Sequence, residues 1–122
     1  MIGISEGNGH PYSFSAILNG YDKELMRESG WIGILDYLNL QNESDFLLDQ
    51  ARVTHIWTQN RKESLKISKA TKIENICLDY KEMITEVDAV IIARDDYELH
   101  YEIAKPFLEA GLFVFIDKPL SI

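Results

Sequence analysis

The sequence predicts an α/β domain in which a parallel sheet carries helices on both faces. Five strand-like segments alternate with helical patterns in the order β-α-β-α-β-α-β-α-β. Two of these segments, Asp88–Ala93 and Leu112–Ile116, are almost continuously apolar, which is typical of strands that are covered on both faces. Crossovers between parallel strands are right-handed in nearly all proteins, so the pattern predicts a doubly wound sheet.

The three remaining predicted strands are shorter or less apolar. Met1–Ser5 is an apolar run that leads into a glycine-rich stretch, and Val53–Thr58 is rich in β-branched and aromatic residues. Ile76–Leu78 is the weakest of the five candidates. A helical pattern follows each of these segments, as the alternating order predicts.

Two helices are predicted around the third strand. Asn60 can cap a helix over Arg61–Ala70, with Glu63 at the third position of a capping box. A shorter helix is predicted over Tyr80–Ile84.

The helix before the last strand carries one apolar stripe and ends at Gly111, which suits the position after a helix C-cap. Pro106 lies inside this helix and predicts a kink or a loosened turn. The apolar positions of the stripe are Leu99, Ile103, Ala104, Phe107 and Leu108.

The passage from the first helix to the second strand is longer than a minimal crossover. It takes residues 20–50, where Asn42 can cap a further turn that runs to Gln50. We expect an extended first crossover with one or two extra helices, and residues 1–122 then form a single domain. Three apolar residues of this stretch share a helical face: Trp31, Leu35 and Leu38.

Composition excludes several classes of protein. Twenty acidic and twelve basic residues give a net charge of −8, which argues against a nucleic-acid binder. No apolar run reaches the roughly 18 residues of a membrane span, and the first residues do not resemble a secretory signal. Cys77 is the single cysteine and cannot form an internal disulfide, so we expect a cytoplasmic protein that contacts neither nucleic acid nor membrane.

The polar residues give no sign of metal or hydrolase chemistry. His10, His55 and His100 are dispersed, so no metal site is predicted. Ser13 and Ser15 lie beside no recognisable base, so a serine hydrolase is not supported.

The glycine-rich turn after the first strand lies where a Rossmann-type domain binds the pyrophosphate of a dinucleotide. Counted from Gly7 and Gly9, the third glycine of G-x-G-x-x-G is replaced by Tyr12. Counted from Ser5 and Gly7, it is replaced by His10. An ordinary βα turn with a proline near the helix start is the alternative interpretation. If a dinucleotide binds, we expect the pyrophosphate to lie against Gly7, Asn8, Gly9 and His10.

The end of the second strand favours NADP slightly over NAD. Residues 58–62 read T-Q-N-R-K, and no carboxylate is present before Glu63 to bind a ribose 2′-hydroxyl. Thr58, Asn60 and Arg61 would hold the adenosine ribose or its phosphate, with the planar guanidinium of Arg61 as the strongest anchor. The alternative is a solvated helix start with two unrelated cations.

The last third of the chain resembles a known family. It contains V-D-A-V-I-I-A at residues 87–93, then His100, then E-I-A-K-P-F-L-E-A-G-L-F-V-F-I-D-K-P-L-S at residues 102–121. This succession resembles the N-terminal half of the glucose–fructose oxidoreductase, inositol dehydrogenase and rhizopine-catabolism (Gfo/Idh/MocA) family. Asp117-Lys118-Pro119 stands where that family has Glu-Lys-Pro.

The resemblance implies an NAD(P)-dependent oxidoreductase that acts on a sugar, polyol or related hydroxy compound. It implies that Lys118 lies near the nicotinamide and the substrate hydroxyl, where an ammonium group stabilises the oxygen as hydride moves. Pro119 matches a proline whose preceding peptide bond is often cis in the family.

The resemblance also assigns residues to the loop after the fourth strand and to the helix beyond it. Ala93 and His100 match positions near the cofactor, and a structural or capping role for His100 is at least as well supported as a catalytic one. The family usually has a small residue, then Thr or Ser, then Pro in the loop that Ala93, Arg94 and Asp95 occupy here. Arg94 and Asp95 depart from this pattern, which leaves the cofactor geometry open.

The family continues into a second domain that holds most of the substrate pocket and usually the oligomer interface. We therefore expect residues 1–122 to be the cofactor-binding domain, inactive alone, of a protein that takes a nicotinamide dinucleotide and a sugar-like substrate. Whether the protein forms a homo-oligomer stays open. The alternative is a degenerate Rossmann-like binding or sensor module, which the altered glycine pattern and the charged loop at Arg94 and Asp95 favour. A structural or assembly protein has little support.

Overall fold

Helices and short parallel strands alternate along the chain in a computed structural model, which describes residues 1–46 and 49–120. The helices are α1 (His10–Asn19), α2 (Lys23–Glu28), α3 (Ile32–Asn39), α4 (Arg61–Thr71) and α5 (His100–Glu109). The strands are β1 (His55–Ile56), β2 (Asn75–Ile76), β3 (Ala89–Ile92) and β4 (Phe113–Ile116). Short 3-10 helices cover Glu43–Asp45, Tyr80–Thr85 and Tyr97–Leu99.

The strands form two parallel pairs, which the first residues of the chain join. β1 pairs with β2, and β3 pairs with β4. Between the pairs, Ile2 forms parallel bridges to Trp57 and Ile92. The amide of Ile2 donates to the carbonyl of Ile91 at 2.8 Å, and that of Gly3 donates to the carbonyl of Trp57 at 3.0 Å. All strands therefore direct their carboxyl ends toward one edge.

Three of the predicted strands are clearly shorter or displaced in the structure. The predicted strand Val53–Thr58 is reduced to β1 at His55–Ile56. Met1–Ser5 was too long a prediction, because only Ile2 pairs on both sides before the chain turns away. The predicted strand at Ile76–Leu78 lies instead at Asn75–Ile76. Leu78 is exposed, and its carbonyl accepts a hydrogen bond from the indole of Trp57 at 3.2 Å.

Helix α1 lies close to the N-terminal segment of the chain, beside the bridges of Ile2, because Gly3 has no side chain. A Cβ atom on Gly3 would lie 2.6 Å from Cγ of Pro11, a distance that two carbon atoms do not tolerate. The missing side chain allows the proline ring at the start of α1 to rest on this segment.

Capping residues set the helix bounds as predicted at two of three places. The Asn60 side chain caps α4 by accepting from the amide of Lys62 at 2.9 Å, and Gly111 follows α5 with a φ of 81°. The predicted capping box was wrong, because the Glu63 carboxylate accepts from Lys66 at 2.8 Å instead of returning to the backbone of Asn60.

The predicted apolar stripe of α5 is only partly correct. Ile103, Ala104 and Phe107 are buried, and they pack on the β3–β4 side of the sheet. The end positions Leu99 and Leu108 are 41% and 59% exposed. The helix continues through Pro106 to Glu109.

Helices α2 and α3 occupy the long passage between α1 and β1. Leu35 and Leu38 are buried on α3, while Trp31 lies at its N-cap and is partly buried. The turn predicted from Asn42 begins with the 3-10 helix Glu43–Asp45. Its residues Leu47 and Leu48 lie outside the described residues. No helix within residues 1–46 and 49–120 combines the length and apolarity needed to cross a membrane.

Asn19 joins three elements at the end of α1. Its side-chain amide donates to the carbonyls of Val53 at 2.7 Å and Thr71 at 3.1 Å, and its oxygen accepts from the amide of Val53 at 2.9 Å. The Asn19 residue is only 4% exposed.

We expect Asn19→Ala to lower the free energy of unfolding by about 2 to 4 kcal/mol, because it leaves buried backbone groups without partners. Chemical denaturation measures this change. Asn39→Ala is the matched control, since Asn39 is exposed and its oxygen accepts one exposed hydrogen bond from Tyr21. Equal losses in the two variants would contradict the role assigned to Asn19.

Candidate functional site

Four loops meet at the carboxyl edge of the strands. They are the glycine-rich turn before α1, the loop after β1, the loop after β3 and the loop after β4. Parallel strands bring such loops together at one edge, which is where ligands bind in open α/β sheets. A continuous hydrogen-bond network links the first, third and fourth loops through Asn8, Asp95 and Asp117.

Asp117 is the most connected residue of this network. Its residue exposure is 6%, and its carboxylate accepts hydrogen bonds from Nδ1 of His10, from Nδ2 of Asn8 at 3.1 Å and from the amide of Lys118 at 2.9 Å. Burial alone would raise the pKa of this carboxyl group, but the hydrogen bonds from His10, Asn8 and Lys118 outweigh it and hold the pKa below its ordinary value.

Asn8 connects the turn to both neighbouring loops. Its Nδ2 donates to Asp95 Oδ1 at 2.8 Å as well as to Asp117, and its Oδ1 accepts from the amide of His10 at 2.9 Å. The Asn8 side chain therefore fills the space at the start of α1. It holds two carboxylates that would otherwise repel each other.

Lys118 reaches the same network from the far side. Its Nζ donates to Asp95 Oδ1 at 3.0 Å, and its side chain is 67% exposed. The Lys118–Pro119 peptide bond is cis. Asp95 thus acts as the counter-ion of Lys118, and its own amide donates to Oγ of Ser5 at 2.8 Å.

Arg94 is buried at the carboxyl edge, where it joins Gly3 to the loop after β1. It is only 6% exposed, and Nη1 donates to the carbonyl of Gly3 at 3.2 Å and to Oε1 of Gln59 at 2.8 Å. Its remaining nitrogens pair with Asp96, whose pKa is held below its ordinary value mainly by the hydrogen bond from Arg94. Gln59 also exchanges two hydrogen bonds with the backbone of Ile4.

The glycine-rich turn is open on one side and covered on the other. Gly7 has a φ of 80°, and a Cβ atom there would meet nothing within 4 Å. A Cβ atom on Gly9 would lie 2.5 Å from Ile34 Cδ1 and 2.8 Å from Trp31 Cε3. The open space at Gly7 fits the close approach of a pyrophosphate, whereas Gly9 serves the packing of α3 against the turn.

The first turn of α1 offers fewer free backbone N–H groups than the first turn of an ordinary helix. The amide of His10 is already satisfied by Asn8, and Pro11 has no amide hydrogen. The amides of Tyr12 and Ser13 donate to the carbonyl of Gly9 at 3.0 and 3.2 Å. An anion at this turn would therefore rely on the loop before the helix, and its phosphates would lie near Gly7.

Residues predicted to hold the adenosine ribose are in two different environments. Thr58 is buried, with its hydroxyl hydrogen-bonded to the Asn60 carbonyl at 2.6 Å and to Oγ of Ser64 at 2.9 Å. Asn60 uses its side-chain oxygen as the cap of α4. Arg61 is exposed at the first position of that helix.

Ala93 and His100 lie beneath the loop after β3. Ala93 is fully buried, and its amide donates to the carbonyl of Ile2 at 2.8 Å. His100 is 1% exposed, and Nε2 interacts with the carbonyl of Arg94 at 2.8 Å while Nδ1 has no partner among the described residues. His100 therefore supports the loop from below.

The other histidine lies away from these loops. His55 is in β1, where its Nδ1 lies 2.8 Å from Oγ1 of Thr54. Over residues 1–46 and 49–120 the structure contains no group of three or more metal-ligating side chains of His, Cys, Asp or Glu.

Sequence reasoning missed several residues of the site. Gln59 and Asp96 hold Arg94, and Trp31 with Ile34 covers Gly9. The charged run at residues 94–96 was a usable signal, because adjacent Arg and Asp residues after a buried strand can pair locally. No sequence pattern pointed to the contact across Gly9.

The parallel strands, the helices between them and the loops at their carboxyl ends define an α/β domain. The model of an oxidoreductase family with an NAD-binding Rossmann fold, Gfo/Idh/MocA, matches residues 29–122. The chain belongs to this family, as its resemblance predicted. The match begins after the glycine-rich turn. Neither a search of curated proteins nor a search of solved structures gave a match.

Acid should weaken the fold through Asp117. Because its pKa is lower in the folded protein than the ordinary 3.8, its carboxylate contributes stability above that value. That contribution is lost as the pH falls through the folded pKa. We expect the free energy of unfolding to drop between about pH 5 and pH 2.

The variant Asp117→Asn should be less stable than the parent at neutral pH, by about 1 to 3 kcal/mol, and should lose less stability on acidification. Denaturant titrations at several pH values provide the measurement. Asp36→Asn, at an exposed position of α3, is the control. A parallel pH profile for Asp117→Asn and the parent would exclude the proposed contribution.

Proposed function

We propose that this chain is the cofactor-binding domain of an NAD(P)-dependent oxidoreductase that acts on a sugar or sugar-like hydroxy compound. Family membership supports the NAD-binding and oxidoreductase parts of this proposal. The observation that carries the rest is the position of Lys118, an exposed ammonium group that Asp95 holds beside the glycine-rich turn. An ammonium group there can stabilise a hydroxyl or carbonyl oxygen of the substrate.

The residues of the edge fit a dinucleotide with its pyrophosphate at Gly7. Gly7 leaves open space, Lys118 offsets part of the negative charge of Asp95, and His10 is hydrogen-bonded to the carboxylate of Asp117. When bound, the nicotinamide supplies a hydride acceptor or donor. This chain's own residues position it, with Ala93 and Ser5 in the adjoining loops and Pro119 directing the segment that carries Lys118.

A slight preference for NADP over NAD belongs to the same proposal. Arg61 is exposed at the first position of α4, and the loop before it offers no carboxylate to a ribose 2′-hydroxyl. The Thr58 hydroxyl already has partners within the chain, so Arg61 and the helix start carry this preference.

We further propose that the sheet is doubly wound and that α2 and α3 form an extended first crossover. The bridges of Ile2 to both strand pairs support this arrangement. A hydride-transfer site must exclude water, and the described loops leave Lys118 exposed. We propose that the substrate pocket is completed by a further part of a cytoplasmic protein. In this proposal residues 1–122 alone do not turn over substrate.

A titration calorimeter can test cofactor binding directly. We expect NADPH to bind more tightly than NADH, and Arg61→Ala to weaken NADPH binding by about tenfold, as expected for the loss of a charge-assisted hydrogen bond. Arg52→Ala is the matched control, because Arg52 is exposed and lies before β1, at the opposite end of the sheet.

Different results would have different consequences. Tighter binding of NADH would retain the oxidoreductase domain but exclude the role of Arg61. Binding of neither nucleotide would contradict the dinucleotide site of this chain.

Loss of Lys118 should affect chemistry more than stability. In a form of the protein that turns over substrate, Lys118→Ala should lower kcat by roughly a hundredfold or more, because an electrostatic donor at the reacting oxygen is removed. Lys105→Ala on the exposed side of α5 is the control. Steady-state kinetics with thermal denaturation separates the two effects, and an unchanged kcat would exclude this role of Lys118.

A degenerate binding or sensor module is the second candidate function. The contacts at Gly9 favour it, because Trp31 and Ile34 occupy the side of the turn that a dinucleotide often approaches. Asn8 also uses the first amide of α1. Such a module would retain the fold without binding either nucleotide in the calorimetric titration.

A further inference from the structure

The two ring nitrogens of His10 are in different environments, which an ordinary βα turn does not require. Its Nδ1 is hydrogen-bonded to the buried carboxylate of Asp117, while the side chain of His10 is 37% exposed. No hydrogen bond joins Nε2 to another atom of residues 1–46 and 49–120. The residue therefore presents one ring nitrogen to a carboxylate and leaves the other without a protein partner.

Surrounding contacts fix the orientation of the ring. The imidazole stacks on Phe14 with centroids 4.7 Å apart and planes inclined by 22°, and Phe115 packs edge-on against Phe14. The amide of His10 is held by Asn8, whose Nδ2 also bonds to Asp117. Both the backbone and the ring of His10 are thus held by the same network.

The partners of Asp117 decide which ring nitrogen carries the hydrogen. Both carboxylate oxygens accept, one from the amide of Lys118 and the other from Asn8 and His10. Hydrogen bonds keep the pKa of Asp117 low, so it is a carboxylate at neutral pH and requires a donor at Nδ1 of His10. In the neutral ring Nε2 then has a free lone pair, the arrangement in which an Asp-backed histidine acts as a base.

We propose that His10, positioned by Asp117, is an acid–base group of this site whose Nε2 exchanges the hydroxyl proton of the substrate. This inference rests on the proposed function. In the oxidising direction the substrate O–H bond breaks and its proton binds Nε2 of His10. A bound oxidised nicotinamide dinucleotide would accept the hydride as the substrate C–H bond breaks and the C=O bond forms, so His10 has to take only the hydroxyl proton.

Lys118 and His10 then have separate tasks at one site. The ammonium of Lys118 donates to the reacting oxygen, while His10 carries the proton. Both are tied to Asp117, Lys118 through its backbone amide and His10 through Nδ1. Asp95 holds the Lys118 side chain in place through its ion pair with Nζ. A site so arranged has a base and an electrostatic donor on two different loops.

Histidine-selective NMR tests the inference on the chain itself. A two-bond ¹H–¹⁵N correlation spectrum at about pH 8.5, where an ordinary histidine is neutral, identifies which ring nitrogen is protonated. We expect His10 to be protonated at Nδ1 and unprotonated at Nε2, and NADH as the probe to shift its ring signals. Absence of these signals in His10→Gln assigns them, and His55, which lies in β1, is the internal control.

A second variant tests the positioning role of Asp117. Asp117→Asn should lose the uniform Nδ1-protonated state of His10, since an amide offers a donor where the carboxylate accepts. The backbone ¹H–¹⁵N spectrum of the same sample shows whether the variant is folded. An unchanged His10 tautomer in a folded Asp117→Asn chain would overturn the role of Asp117.

The other outcomes separate this inference from the function on which it rests. Protonation of His10 at Nε2 would overturn it, because that atom could not accept a proton. Binding of NADH in calorimetry without movement of the His10 signals would overturn it and leave the proposed function standing. If neither NADPH nor NADH binds, the proposed function and this inference both fail.

Discussion

The carboxylate of Asp117 holds the carboxyl edge of this domain together. It lies at the end of β4, yet it binds the glycine-rich turn through Asn8 and His10, which are more than 100 residues away in sequence. A buried carboxylate without hydrogen-bond donors is strongly unfavourable. The charge of Asp117 is therefore stable in this position only because these donors surround it. The orientation of His10 and the position of Asn8 both depend on this one charge.

Close backbone contacts explain why the glycine pattern departs from G-x-G-x-x-G. In the Rossmann pattern the second glycine admits the pyrophosphate and the third allows the helix to approach the strand. Here Gly3 in the N-terminal segment admits Pro11 of the helix, which removes the need for a third glycine. Gly9 admits Trp31 and Ile34, so α3 is packed against the turn, whereas the surroundings of Gly7 in the same turn are open.

The sequence was sufficient to predict the alternating elements and the family because those signals are local. The apolar runs before Ile92 and Ile116 and the Asn60 cap each specify their own segment. Strand lengths could not be predicted, since Ile2 is a strand residue only through partners at Trp57 and Ile92.

Long-range contacts account for most of what was missed at the site. Arg94 and Asp95 were recognised as departures from the family, but their partners come from distant loops. Arg94 binds Gln59, and Asp95 binds Asn8 and Lys118. Such pairings depend on which strands are neighbours in the sheet, and a single sequence does not encode that order in a local pattern.

Mapping NADH onto the backbone tests the central claim, that the carboxyl edge is a dinucleotide site, most directly. In a ¹H–¹⁵N spectrum of the uniformly labelled chain, we expect NADH to move amides of residues 5–10, 93–96 and 117–118 most. The opposite end of the sheet offers an internal comparison, because a cleft there is lined by residues 50–55 and 86–89. Shifts confined to that cleft, or no shifts at saturating NADH and at saturating NADPH, would contradict the account.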